Sequence, residues 1–130
     1  MTRWIRNWWL LCTWVLLVVL GCTAGPDEAS ATQKMYWADQ QTNKIQRANL
    51  DGTNVEDLVT GLSGPVGIAL DIDGGKVYWA DLASNKIQRA NLDGSNVEDL
   101  VIGLGGSVGI ALDVDAGKMY WTEQVAQKRI

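Results

Sequence analysis

The chain has 130 residues, with 11 basic and 15 acidic side chains, a formal net charge of −4, two cysteines and no histidine. That length suits one small domain, and an acidic balance argues against a nucleic-acid partner, because phosphate binding needs a basic face. The missing histidine removes the commonest general base, the commonest metal ligand and every Ser-His-Asp triad.

Residues 1–7 are short and positive, with Arg3 and Arg6. Residues 8–20 form a run of 13 mostly apolar side chains, interrupted by Cys12 and Thr13. A membrane-spanning helix needs about 20 residues, so the run suits a signal-peptide core, read as a signal helix over 1–21. Removing that segment leaves nine basic and 15 acidic side chains, a net charge near −6. The run ends at Val19-Leu20-Gly21-Cys22, which resembles the lipobox of bacterial lipoproteins. The resemblance implies cleavage after Gly21 and a lipid on Cys22. It places the mature chain in the cell envelope, anchored in a membrane and facing outside the cytoplasm. In that family an aspartate after the cysteine favours inner-membrane retention. Here Thr23 follows, so the expectation is the outer membrane or the cell surface. An ordinary secretory signal with an incidental cysteine is the alternative.

Residues 22–33 are small and polar, with Gly25, Pro26, Asp27, Glu28 and Ser30. They cannot bury a core and read as a flexible tether. Both cysteines lie before this point. The chain beyond therefore has no disulfide, no thiolate nucleophile and no cysteine-based zinc site.

From residue 34 the sequence repeats. KMYWAD at 34–39 returns as KVYWAD at 76–81 and as KMYWTE at 118–123. Trp37, Trp79 and Trp121 stand 42 residues apart, a period that marks a repeat architecture. Residues 37–78 match 79–120 at 32 of 42 positions. The identity extends to polar pairs such as Gln46/Gln88, Asn54/Asn96 and Glu56/Glu98, which a packed core does not demand. It reads as a recent duplication, reporting history more than function.

Within one period, residues 67–71 (GIALD) alternate, with Ile68 and Leu70 on one face. Asp73-Gly74-Gly75 signals a turn. Residues 76–81 form a second strand, with Val77 and Trp79 on one face and Tyr78 on the other. Residues 86–92 (KIQRANL) form a third, Asp93-Gly94 a hairpin turn, and residues 97–101 a shorter fourth. Four short strands per 42 residues is the content of one propeller blade.

The order of KVYWAD, KIQRANLDG and GIALD resembles the YWTD repeat of the low-density lipoprotein receptor family, which builds six-bladed β-propellers. The resemblance covers about residues 34–130. It implies an all-β chain of propeller blades with GIALD innermost, and a protein ligand on a propeller face. Departures are Ala38 and Ala80 where the family favours threonine, Glu123 in place of aspartate, and Ser107 where the preceding copy has Pro65.

Only residues 66–102 make a complete four-stranded blade, flanked by two partial blades. Propellers close with roughly four to eight blades, so an open stack is expected, with Trp37 and Trp121 partly wet. Either the chain is a fragment of a longer propeller, without a function of its own, or copies self-associate to complete one. Three chains bring nearly seven blades' worth of residues rather than six.

The candidate site residues are the repeat motif itself and the anchor. The Tyr36–Trp37, Tyr78–Trp79 and Tyr120–Trp121 pairs offer an aromatic binding surface or, more simply, packing between blades. Asp39, Asp81 and Glu123 each end a strand. They could serve catalysis or a cation. The simpler expectation is a pairing with Arg47, Arg89 or Arg129, or acceptance of turn N–H groups. Asp71/Asp73 and Asp113/Asp115 have a spacing found in calcium loops but lack the third acid and the distal glutamate, so polar turns are expected. Residues 103–106 (GLGG) are no phosphate loop, since no Lys-Ser/Thr follows. The reading is a lipid-anchored binding or scaffolding module with no cofactor. The partners are a membrane through Cys22, a protein ligand and its own copies. A lactonase- or hydrolase-like propeller enzyme is the rival, and it would need acids gathered at the centre of a closed ring.

Overall fold

A computed structural model describes residues 33–124. The segment expected to be a signal (1–21), nearly all of the segment expected to be a tether (22–33), Cys22 and Arg129 lie outside the described residues.

Alternating side chains and turn residues at fixed offsets divide residues 34–123 into antiparallel strands. The first three, β1 (Lys34–Asp39), β2 (Lys44–Asn49) and β3 (Glu56–Val59), form one sheet in chain order. The next four form the complete blade, again in chain order: β4 (Pro65–Asp71), β5 (Lys76–Asp81), β6 (Lys86–Asn91) and β7 (Glu98–Ile102). The last pair is β8 (Ser107–Asp113) with β9 (Lys118–Glu123). The architecture is all-β, three successive propeller-type blades of which the middle one is whole. Three strands differ from the sequence expectation at their edges. The inner strand starts at Pro65 rather than 67, the third ends at Asn91 rather than 92, and the outer strand runs 98–102 rather than 97–101.

The register repeats with the sequence. Trp37 faces Gln46 and Tyr36 faces Arg47 across β1 and β2, and Trp79 faces Gln88 and Tyr78 faces Arg89 across β5 and β6. Each third strand carries a bulge toward the fourth, between Ile45 and Gln46 and between Ile87 and Gln88. Such bulges increase local twist, which a blade requires. Asn43, Asn54, Asn85 and Asn96 all sit at positive φ between 53° and 58°. Asparagine tolerates the left-handed region better than other side chains with a Cβ.

The core lies between blades. Ile45 and Val59 of the first blade pack on Val77, Trp79 and Ala90 of the second, with Leu58, Leu62, Ile68, Leu70 and Leu92 at the margin. Trp79 is fully buried. The inner strands β4 and β8 run side by side. At Gly67 an added Cβ would meet the backbone of Val108, Gly109 and Ile110, so the close approach of these strands requires glycine. Where the next copy replaces Pro65 by serine, Ser107 stays buried and its hydroxyl donates to the Lys86 carbonyl at 3.3 Å. A buried hydroxyl needs such a partner.

Candidate functional site

The repeat-motif aromatics divide by place in the stack. Trp79 is 0% exposed, whereas Trp121 is 36% and Tyr120 59% exposed. Trp37 is half-buried. The same residue type at the same register therefore packs between blades in the middle of the stack and meets solvent at its end.

Each described tryptophan has a polar handle. Trp37 Nε1 donates to Gln46 Oε1 at 3.0 Å and Trp79 Nε1 to Gln88 Oε1 at 3.1 Å. Those amides donate in turn to Asp57 and Asp99 at 2.7 Å, and the same carboxylates accept from Lys44 and Lys86 at 2.7 Å. The lysine bond, followed by the glutamine bond, holds Asp57 and Asp99 below the usual carboxylate range. The glutamines thus accept the indole N–H, a structural role for a polar identity that the sequence attributes to duplication alone. Asn54 and Asn96 keep their left-handed turns, and Glu56 and Glu98 pair with Arg47 at 2.6 Å and Arg89 at 2.7 Å.

Those ion pairs correct the arginine half of the expectation for the strand-end acids. Asp39 and Asp81 stand opposite Lys44 and Lys86 in register, while the arginines stand opposite the tyrosines at the far end of the strands. The turn N–H half holds. Asp39 accepts from Gln41 and Thr42 at 2.9 and 3.0 Å. Asp81, 1% exposed, accepts from Ser84 at 3.1 Å and from Ser63, in the segment entering its blade, at 2.9 Å. Glu123 accepts from Gly105, the position 42 residues after Ser63, at 3.0 Å. That bond, and then the Trp121 indole, lowers the Glu123 pKa. Asp71 and Asp113 accept turn N–H groups from Gly74 at 2.7 Å and Ala116 at 3.0 Å. Both are polar turns.

Exposed apolar side chains recur with the repeat. Val55 and Val97 lie in the turns before β3 and β7, and Ile72 and Val114 in the turns after β4 and β8. They are 58%, 47%, 61% and 52% exposed. Lys76 pairs with Asn91, which puts the turn after β4 and the turn after β6 at the same end of the blade. Sequence patterning missed this face because each side chain is single in its turn; only the fold gathers them. Beside it, a cavity of about 320 Å³ opens between the second and third blades, lined by Tyr78, Arg89, Leu100, Val114, Gly117 and Met119 among others.

Strand order, register and inter-blade tryptophans together define a protein of β-propeller repeats. The chain belongs to the family of low-density lipoprotein receptor repeat class B, whose model matches residues 33–72 and 75–113. It is 50% identical over 38 residues to the low-density lipoprotein receptor-related protein 4 of Homo sapiens, and equally to those of Mus musculus and Rattus norvegicus. The match covers 28% of this chain and 2% of those relatives. A chain in the crystal structure of a nidogen/laminin complex superposes with a TM-score of 0.67 at 32% identity, over 72% of this chain and 37% of that one.

Proposed function

We propose that the chain is a lipid-anchored, extracytoplasmic module that binds a protein ligand through the turn end of its blades. The observation that carries this reading is the row of Val55, Ile72, Val97 and Val114, all exposed and all at turn tips that a single end of the stack presents. Apolar side chains rimmed by charged and polar turns are the composition of a transient protein interface. The nidogen/laminin complex shows a related chain in an assembly between proteins, which supports a binding rather than a catalytic role. The anchor rests on the sequence pattern at Cys22.

The test is capture from envelope extracts by the wild-type chain and by an Ile72→Glu/Val114→Glu variant whose circular dichroism matches wild type. A partner retained in stoichiometric amount by wild type and lost by the variant supports the reading. Equal retention by both would remove the turn end from the interface.

A further inference from the structure

The boundary between the first and second blades is filled by one turn. The Leu92 carbonyl accepts from Arg47 Nη1 at 2.9 Å, and the Leu92 N–H donates to the Gly75 carbonyl at 3.0 Å. Gly94 lies against Leu58 so closely that a Cβ there would overlap the Leu58 carbonyl. On the first blade Arg47 and Leu58 receive the turn, and within the turn's own blade Gly75 holds it.

Each has a counterpart 42 residues on: Arg89, Leu100 and Gly117. All three line the open 320 Å³ cavity, and no turn among the described residues enters it. The chain also carries a turn of the matching kind that packs on nothing among the described residues. Leu50, the counterpart of Leu92, is 57% exposed, and a Cβ on Gly52, the counterpart of Gly94, would meet no atom within 4 Å. The two turns share their φ, 83° at Gly52 and 86° at Gly94, and their internal bonds, with the N–H of Gly52 and of Gly94 donating to Asn49 and Asn91, each at 2.9 Å. Charge also matches. Asp93 of the docked turn lies within the field of Arg47, and Asp51 would meet Arg89 in the same way.

We infer that the Asn49–Gly52 turn of one copy docks in the Arg89–Leu100–Gly117 cleft of another, so that copies associate head to tail. Receptor and plug are different surfaces of one chain, which makes the contact heterologous. In the docked arrangement β9 takes the place beside the incoming β2 that β1 holds in the single chain. The two strands carry the same KMYW start and the same position in their blades. One ladder replaces another, and the gain is the burial of Leu50 and of the cleft.

The experiment uses the full chain in non-ionic detergent, with mass measured by sedimentation over a wide concentration range. Wild type is expected to exceed the monomer mass as concentration rises. Leu50→Glu spoils only the plug and Leu100→Glu only the receptor, so each alone is expected to sediment as a monomer with unchanged circular dichroism. Mixing the two variants leaves one intact plug and one intact receptor. The expected product is a heterodimer that grows no further. Failure of the mixture to dimerise, with both variants folded by circular dichroism, would overturn the inference. A wild type that stays monomeric throughout would also overturn it. Association that survives both substitutions would place the contact elsewhere.

Discussion

Asp81 accepts the backbone N–H of Ser63 at 2.9 Å while almost wholly buried, and so fastens the segment entering the complete blade to that blade's second strand. Its other oxygen accepts from Ser84 at 3.1 Å. Asp81→Ala leaves both N–H groups without that partner inside a packed boundary. The expected loss is about 1–3 kcal/mol, the range for bonds to a charged acceptor and for stranded buried donors. Asp39→Ala removes bonds to Gln41 and Thr42 where water reaches, and should cost less. Urea unfolding of the two variants checks the order. A larger loss at Asp39 would mean that the inter-blade tie contributes little.

Trp79 and Trp121 share a motif position and differ in burial, 0% against 36% exposed. Trp79→Ala opens a cavity between two blades and is expected to cost about 3–5 kcal/mol. Trp121→Ala should cost well under half of that. Fluorescence gives an independent check. Loss of Trp79 should remove the most blue-shifted emission, and loss of Trp121 should remove a red-shifted component.

The aromatic period, the strand order and the residues of the second strand were all legible in the sequence. Each follows from local alternation or from a fixed spacing, and Trp79 announces itself by both. The partners of the polar residues were not. Asp39 and Arg47 lie eight residues apart on neighbouring strands, yet register sets Asp39 against Lys44 and Arg47 against Tyr36. A sequence does not display that register until the turn is known. Gln88 looked like a residue of shared ancestry because its indole partner lies across the ladder, not along the chain. The cleft at Arg89 was invisible for the same reason. It exists only by comparison of two boundaries that the fold builds.

Acid should weaken the fold before it weakens the strands' apolar packing. Glu56 and Glu98 are held below their ordinary value of 4.5, first by the hydrogen bond from Arg47 or Arg89 and then by its charge. Asp57 and Asp99 are held below 3.8, first by the lysine hydrogen bond. A carboxylate whose folded pKa is depressed stabilises the fold fully above its unfolded pKa. It loses that contribution as pH falls through the folded value. Stability should therefore be flat from neutral pH down to about 5 and then fall as these groups protonate. All four side chains are between 41% and 49% exposed, so solvent screens each contribution and the slope should be shallow. Thermal midpoints recorded from pH 7 to pH 3 test this. A midpoint that rises on acidification would contradict it.

Cys22→Ser tests the anchor. If acyl chains hold the protein on the membrane, the variant should lose detergent-phase partitioning or remain unprocessed, since stable anchoring takes more than one chain. A processed Cys22→Ser protein that partitions like wild type would remove lipidation from the account.

Gly94 and Gly52 separate the strain of a turn from the packing of a boundary. Both have positive φ, 86° and 83°, so alanine at either forces a left-handed conformation costing about 1–2 kcal/mol. Only at Gly94 would the new Cβ also overlap the Leu58 carbonyl of the preceding blade. Overpacking of that kind adds about 1–3 kcal/mol. In dilute solution, where copies are apart, Gly94→Ala should therefore unfold at lower urea than Gly52→Ala by that further amount. Equal losses would show that the blades can part at Leu58 without penalty. As concentration rises the ranking should narrow, because a docked Gly52 turn meets the Leu100 carbonyl of the next copy just as Gly94 meets that of Leu58. Gly52→Ala then weakens association as well as its own turn. A gap between the two variants that stays constant with concentration would leave the turn strain and the intramolecular boundary as the only terms.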